Sequence, residues 1–257
     1  MFLGVDVGSI STDAVLIDSQ KNILSYYIVK SGFDHKAAVD KVLKGVCEGA
    51  GIKSKNIIKM VGTGYGRRNV SGIYKSVTEI SCHAMGIHTI FPTVRTLIDI
   101  GGQDSKVIRI SEEGFVETFV MNDKCAAGTG RFLEVMANAM DVGVEMLGEY
   151  SSRATKAVKI SSTCTIFAES EVISRISQGD TEEQIIAGVH NAIADRIVAM
   201  VNSIGLKKDL ALTGGVAKNE GIKAALEKKF GKILVPEEPQ ITGALGAAIY
   251  ALNYKES

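Results

Sequence analysis

The chain is short of proline, of cysteine and of any surplus of charge. Its 257 residues include three prolines and four cysteines, and 29 basic side chains balance 29 acidic ones. The zero net charge excludes a sequence-independent nucleic-acid binder, which carries a basic excess. Cys47, Cys82, Cys125 and Cys164 contain no CxxC pair. That excludes a disulfide-dense scaffold and the local zinc-ribbon signature, without excluding a metal. No apolar run approaches the roughly 18 residues of a membrane span. Met1-Phe2-Leu3-Gly4-Val5-Asp6 has neither a basic n-region nor a cleavable apolar segment. A soluble, cytoplasmic protein is expected. Few prolines beside 27 glycines point to tight turns rather than flexible linkers.

What is present suits a globular chain. At 46% hydrophobic and 23% charged residues it has ample core material, and its length allows one large domain or two coupled ones. Residues 2–7 form an apolar run ending in Asp6-Val7-Gly8-Ser9. Residues 14–17 and 23–29 follow as strands, and 37–50 has helical spacing that closes at Gly49 and Gly51. The order then returns. Residues 94–100 run into Asp99-Ile100-Gly101-Gly102, strands at 106–110 and 115–121 come next, and a helix is expected from about Ala126. The shared order of strand, Asp-x-Gly turn, two strands and helix is the mark of an internal repeat. The last third reads αβα. Thr181 and Gln184 form a capping box for a helix stopping at Gly205, strands are expected at 210–212 and 233–235, and the final helix begins near Thr242. Its small residues Gly243, Ala244, Gly246, Ala247 and Ala248 allow close packing.

Gly8-Ser9, Gly101-Gly102 and Gly214-Gly215 each follow an apolar strand. Glycine there lets backbone N–H groups approach a phosphate. Asp6 and Asp99, at matching strand ends, are candidate oxygen ligands for Mg²⁺, directly or through its waters. Gln103 is placed to orient an attacking water. No P-loop and no GxGxxG after a strand is present. The duplicated layout resembles the actin, Hsp70 and sugar-kinase superfamily. That resemblance implies an α/β, duplicated actin-like ATPase fold, two βββαβα-type subdomains around a nucleotide cleft. Residues 1–95 plus 243–257 form the first subdomain, and 96–242 form the second. ATP or ADP would meet Gly8, Ser9, Ser11 and Thr12, then Gly101, Gly102 and Asp104, with Gly214, Gly215, Val216, Asn219 and Gly243 nearer the adenosine.

Cys125 and Cys164 each lie where a loop feeds an expected helix, among small and polar neighbours. A helix start favours thiolate and stabilises an anionic centre. Cys47 and Cys82 read as packing residues. An Fe–S cluster commonly takes four thiolates. Two per chain point to a cluster completed on the axis of a homodimer, isologous dimers being the commonest assembly.

Two stretches carry a closer resemblance: Asn122-Asp123-Lys124-Cys125-Ala126-Ala127-Gly128-Thr129-Gly130-Arg131-Phe132, and Ser161-Ser162-Thr163-Cys164-Thr165-Ile166-Phe167-Ala168-Glu169-Ser170-Glu171. Residues 98–104, Gly62-Thr63-Gly64-Tyr65-Gly66-Arg67 and Thr213-Gly214-Gly215-Val216-Ala217 add to them. Together they resemble the ATP-dependent activators (component A) of 2-hydroxyacyl-CoA dehydratases, with relatives serving benzoyl-CoA reductases and double-cubane cluster proteins. The resemblance implies a homodimer bridged by one [4Fe–4S] cluster on Cys125 and Cys164 of each subunit. It further implies an electron taken from ferredoxin or flavodoxin, and ATP-driven delivery to a partner iron–sulfur dehydratase or reductase. Neither nucleic acid nor membrane is an expected partner. A small-molecule kinase of the same fold, or an ATP-switched interaction module in the Hsp70 manner, would need no thiolate pair.

One position departs from the family pattern. Where relatives often carry Lys after the first phosphate loop, this chain has Asp13. Either another cation, Lys106 or the metal, compensates, or nucleotide turnover is altered. Arg67 and Arg68 read equally as surface charges or as part of a cleft or docking surface.

Overall fold

The computed structural model describes residues 1–161 and 164–254. Contacts divide the chain into two compact units: Met1–Val94 with Ile110–Glu117 and the segment from Pro236, and Arg95–Arg109 with Thr118–Val235. They part at 94/95 and 235/236, where the sequence reading has 95/96 and 242/243. Residues 255–257, assigned from sequence to the first subdomain, lie outside the described residues.

The first unit is built on the run that opens the chain. β1 (Phe2–Val7), β2 (Ser11–Ile17), β3 (Ile23–Lys30), β4 (Lys59–Thr63) and β5 (Lys75–Ser76) form one sheet in the order β3-β2-β1-β4-β5. β1 runs antiparallel to β2 and parallel to β4. The sheet has apolar partners on both faces, which is why its central strands read as continuous apolar runs. Leu3, Val5, Val7, Ala14 and Leu16 pack on Val39, Val42 and Val46 of α1 (His35–Gly49), which Asp34 caps. Val15 and Ile17 pack instead on Ala244, Leu245, Ala248 and Ile249 of α8 (Thr242–Asn253). α8 also lies against α2 (Glu79–Ile90). Glycine sets that spacing. A Cβ on Gly4 would fall 1.9 Å from the Ala244 carbonyl oxygen, and one on Gly246 1.8 Å from the Cys82 carbonyl oxygen.

The second unit repeats the opening. β6 (Thr96–Ile100), β7 (Ser105–Ile110) and β8 (Val116–Asn122) are followed by α3 (Gly130–Ala139), as β1, β2 and β3 are by α1. With β9 (Leu210–Thr213) they form a sheet in the order β8-β7-β6-β9. Ile98, Ile100, Phe132, Met136, Ile193 and Ile197 join its core. α4 (Leu147–Arg153), α5 (Thr165–Ser177), α6 (Glu182–Ile204) and α7 (Glu220–Phe230) complete the unit. The Thr181 hydroxyl accepts the Gln184 N–H at the start of α6, and Gly205 at φ +79 ends it.

Two local expectations are corrected. α3 begins at Gly130 rather than near Ala126, because residues 123–129 are irregular and the side chains of Asn122 and Thr129 take the carbonyls of Cys125, Ala126 and Ala127. The strand expected at 233–235 is a single bridge between Ala211 and Leu234. Pro236, which lacks an N–H, cuts the pairing short. Among the described residues no helix is long and apolar enough to cross a membrane.

Candidate nucleotide turns and thiol loops

In the first unit the turn after β1 is closed by the Gly8 N–H on the Ser11 carbonyl at 2.9 Å. Ser9 is exposed and Ser11 partly so, while the Thr12 hydroxyl turns inward to Ser31 at 2.9 Å. Ser31 in turn donates to the Gly8 carbonyl at 2.7 Å, fixing the turn from behind. Asp6 is buried in a cradle that only glycine permits. A Cβ on Gly243 would lie 2.0 Å from Asp6 Oδ2, and one on Gly64 2.3 Å from Oδ1. Gly243 is in the first turn of α8, whose N–H groups favour an anion. A carboxylate so held, beside a turn of backbone amides, fits a hard cation.

Asp13 faces Asp6 across the β1–β2 pair. It is 4% exposed, and Ser11 donates to its Oδ2 at 3.1 Å. Burial first, and the Asp6 carboxylate second, push its acid from the ordinary 3.8 up to about 8. His83 stands by with Nε2 3.8 Å from Asp6 Oδ2 and 3.7 Å from Glu79 Oε1.

In the second unit Asp99 is 2% exposed and accepts the Thr213 hydroxyl at 2.9 Å. Lys106 faces it across β6–β7, its Nζ 3.5 Å from Asp99 Oδ2 and 2.9 Å from Asp104 Oδ2. The Gly101 N–H closes the turn on the Asp104 carbonyl at 2.9 Å, and Gln103 is exposed at its tip. The carbonyls of the same turn accept from the start of α3: Gly130 N–H to Gly101 at 2.9 Å, Arg131 N–H to Gly102 at 2.7 Å. The third turn lies alongside. Gly214, at φ +85, leaves no room for a Cβ, which would fall 2.3 Å from the Ile100 carbonyl oxygen. Val216 is buried, and Asn219 caps α7 by accepting the Ile222 N–H at 3.1 Å.

The four thiols divide by burial. Cys47 and Cys82 are buried, and burial pushes the Cys82 thiol up to about 12. Cys125 and Cys164 are partly exposed. Cys164 is the N-cap of α5, but Cys125 is not at a helix start, since Thr129 caps α3. The helix-end argument therefore applies to Cys164 alone. The Cys125 loop is held by side chains whose part the sequence reading did not single out. Asn122 Nδ2 donates to the carbonyls of Cys125 and Ala127 at 2.8 and 2.9 Å, and the Thr129 hydroxyl donates to Ala126 at 2.7 Å. Both flank Cys125 in the stretch quoted above, which is where the signal lay. The segment before Cys164 is tied by the Ser161 N–H to Glu171 Oε2 at 2.6 Å. Ser162 and Thr163 lie outside the described residues. On α5 the first turn exposes Ile166 and Phe167 at 70% and 69%.

Arg67 Nη1 donates to the Gly64 carbonyl at 2.9 Å, within the first unit, whereas Arg68 is exposed. A cavity of about 470 Å³ lies between α4, α6 and α7, with His190, Asn191, Ser151 and Gly221 in its wall. Burial lowers the His190 imidazole to about 4.

The profile of the BadF/BadG/BcrA/BcrD ATPase family matches residues 3–251. The chain is 48% identical to the activator of lactoyl-CoA dehydratase from Anaerotignum propionicum, over 97% of this chain and 96% of that one. The crystal structure of component A of (R)-2-hydroxyglutaryl-CoA dehydratase from Acidaminococcus fermentans matches with a TM-score of 0.94 at 46% identity, covering 98% and 97% of the two chains. The ADPNP-bound activator of 2-hydroxyisocaproyl-CoA dehydratase from Clostridium difficile matches at 0.93 and 44%, covering 98% and 95%. At 14% identity a ROK family glucokinase from Streptomyces griseus, with a TM-score of 0.59 over 97% and 98% of the chains, shares the fold alone. The α/β architecture is thus that of actin-like ATPases and sugar kinases, and the chain belongs to the BadF/BadG/BcrA/BcrD ATPase family.

Proposed function

We propose that this chain is an ATP-driven electron donor. It takes an electron from ferredoxin or flavodoxin and, on hydrolysing ATP, delivers it at low potential to a partner iron–sulfur enzyme of the 2-hydroxyacyl-CoA dehydratase type. The relatives named as dehydratase activators support the partner class. The observation that carries the reading is the pair of main-chain hydrogen bonds from Gly130 and Arg131 to the carbonyls of Gly101 and Gly102. A phosphate turn is thereby tied to the helix that follows the Cys125 loop. A shift of the turn on nucleotide hydrolysis would be passed to the thiol loop without a flexible joint between them.

The residues take these roles. The turns at Gly8-Ser9 and Gly101-Gly102 receive phosphate oxygens on the N–H groups of Ser9 and Gly102, those of Gly8 and Gly101 closing the turns, with Ser11, Thr12 and Asp104 beside them. Asp6 and Asp99 would hold Mg²⁺, directly or through its waters, and its charge would offset that of the phosphates. Gln103 orients the attacking water. Gly214, Gly215, Val216, Asn219 and Gly243 line the path to the adenosine. Cys125 and Cys164 from each of two copies would hold one [4Fe–4S] cluster, which supplies a one-electron carrier. Two free, partly exposed thiols per chain suit that shared donor set. The apolar Ile166 and Phe167 beside Cys164 give a second copy something to cover.

Anaerobic purification followed by iron, sulfide and mass analysis tests the reading. The expected result is a brown dimer with about four irons per two chains. Cys125→Ser should strip the iron and uncouple ATP hydrolysis from reduction of an acceptor. An iron-free dimer whose ATPase ignores Cys125→Ser would sink the redox reading and leave the kinase alternative. Assays against purified dehydratase, double-cubane and benzoyl-CoA-type acceptors then separate the possible partners.

A further inference from the structure

The two hairpins that open the units are built to one register and charged differently. In the second, Asp99 faces Lys106, and the ammonium lies 3.5 Å from Asp99 and 2.9 Å from Asp104. In the first, Asp6 faces Asp13. Directly opposed residues of an antiparallel pair point to the same face, with Cβ atoms about 4.5–5.5 Å apart. Both acids turn to the α8 side of the sheet, where the Asp6 cradle is formed by Gly64 and Gly243.

We propose that Asp13 is a divalent-cation ligand beside Asp6, so that this chain holds the ion on two protein carboxylates before any nucleotide arrives. This rests on the nucleotide reading of the first turn and names a ligand which that reading did not include. Three observations carry it. Asp13 is 4% exposed, yet its Oδ1 has no hydrogen-bond partner, only Oδ2 being taken by Ser11. Around it stand the carboxylates of Asp6 and Glu238, with His83 the group of opposite tendency. The glycine cradle denies Asp6 any Cβ neighbour at Gly64 and Gly243, leaving its oxygens toward the same face. Two buried acids on one face ionise together only beside a positive charge, so a bound dication would displace the proton that Asp13 otherwise keeps. A hard dication takes oxygen ligands, and its affinity follows the number of charged ligands.

The test is a Mn²⁺ titration of the purified protein without nucleotide, with free Mn²⁺ read by electron paramagnetic resonance. Wild type should retain one Mn²⁺ per chain. Asp13→Asn should weaken it by about tenfold or more, and Asp13→Lys should abolish it. A measurement needing no variant runs beside it: the thermal midpoint of wild type should rise with Mn²⁺ concentration, since an ion bound only by the folded state stabilises it. The proposal is overturned if wild type binds no Mn²⁺ without nucleotide, or if Asp13→Asn binds it as tightly. A fluorescent ATP analogue separates the two levels. Wild type that binds the analogue but no Mn²⁺ in its absence refutes the Asp13 ligand and leaves the nucleotide reading standing. Failure to bind either refutes both.

Discussion

Lys106 and Asp13 hold the same place in their hairpins, each facing the aspartate that ends the preceding strand, Asp99 and Asp6 respectively. In one unit the opposed pair is an ion pair, and in the other it is two acids. Two sites of one design therefore need different company to be stable.

Lys106 is 1% exposed, and removing it would leave Asp99 buried beside Asp104 without its cation. Breaking a buried pair from one side costs about 3–5 kcal/mol. Lys106→Met should therefore lower the unfolding free energy by about 3 kcal/mol in urea titration, and adding Asp99→Asn should return part of it. A neutral Lys106→Met would mean that the ammonium does not hold the second turn.

Gly246 lies mid-helix in α8, where alanine ordinarily gains about 1 kcal/mol of helix propensity. Here the added Cβ would fall 1.8 Å from the Cys82 carbonyl oxygen, a backbone atom. Gly246→Ala should destabilise by about 2 kcal/mol or more, seen as a lower thermal midpoint. The sign decides the matter: a rise would show that α8 can move away from α2.

His190 supplies a pH test. Its imidazole titrates at the ordinary 6.5 when unfolded and, because of burial, at about 4 when folded. Between those values the unfolded chain binds the additional proton, so stability rises with pH there and falls as pH drops from about 6.5 toward 4. The gap amounts to ~3 kcal/mol. Unfolding titrations at pH 7, 5.5 and 4 should trace that fall, and His190→Asn should flatten it.

Much of the fold was legible because the strands are apolar runs cut by glycine turns. β1, β6 and β9 end within a residue of the expected position, and so does α6, with its Thr181 cap and Gly205 stop. α2 gave no comparable signal. It is buried without a break from Cys82 to Ile87, so no apolar stripe alternates with a polar face. The start of α3 differs from the expected position for another reason. Cys125, Ala126 and Ala127 look helical by composition, but Asn122 and Thr129 take their carbonyls, and a carbonyl so taken is lost to a helix ladder. Asp13 is a visible departure in the sequence. That it shares a buried face with Asp6 depends on strand register, which the sequence did not establish.

The close fit of α8 against β1 has a consequence for how the chain is made. The first unit is discontinuous: its opening strand comes from residues 2–7 and the helix covering it from residues 242–253, while Arg95–Arg109 and Thr118–Val235 of the second unit are threaded between them. On the ribosome β1 emerges early and its cover late. The second unit can assemble during translation, but the first must wait with one sheet face bare until α8 is released. During that interval the apolar side chains of Val15 and Ile17 lack the cover that α8 gives them.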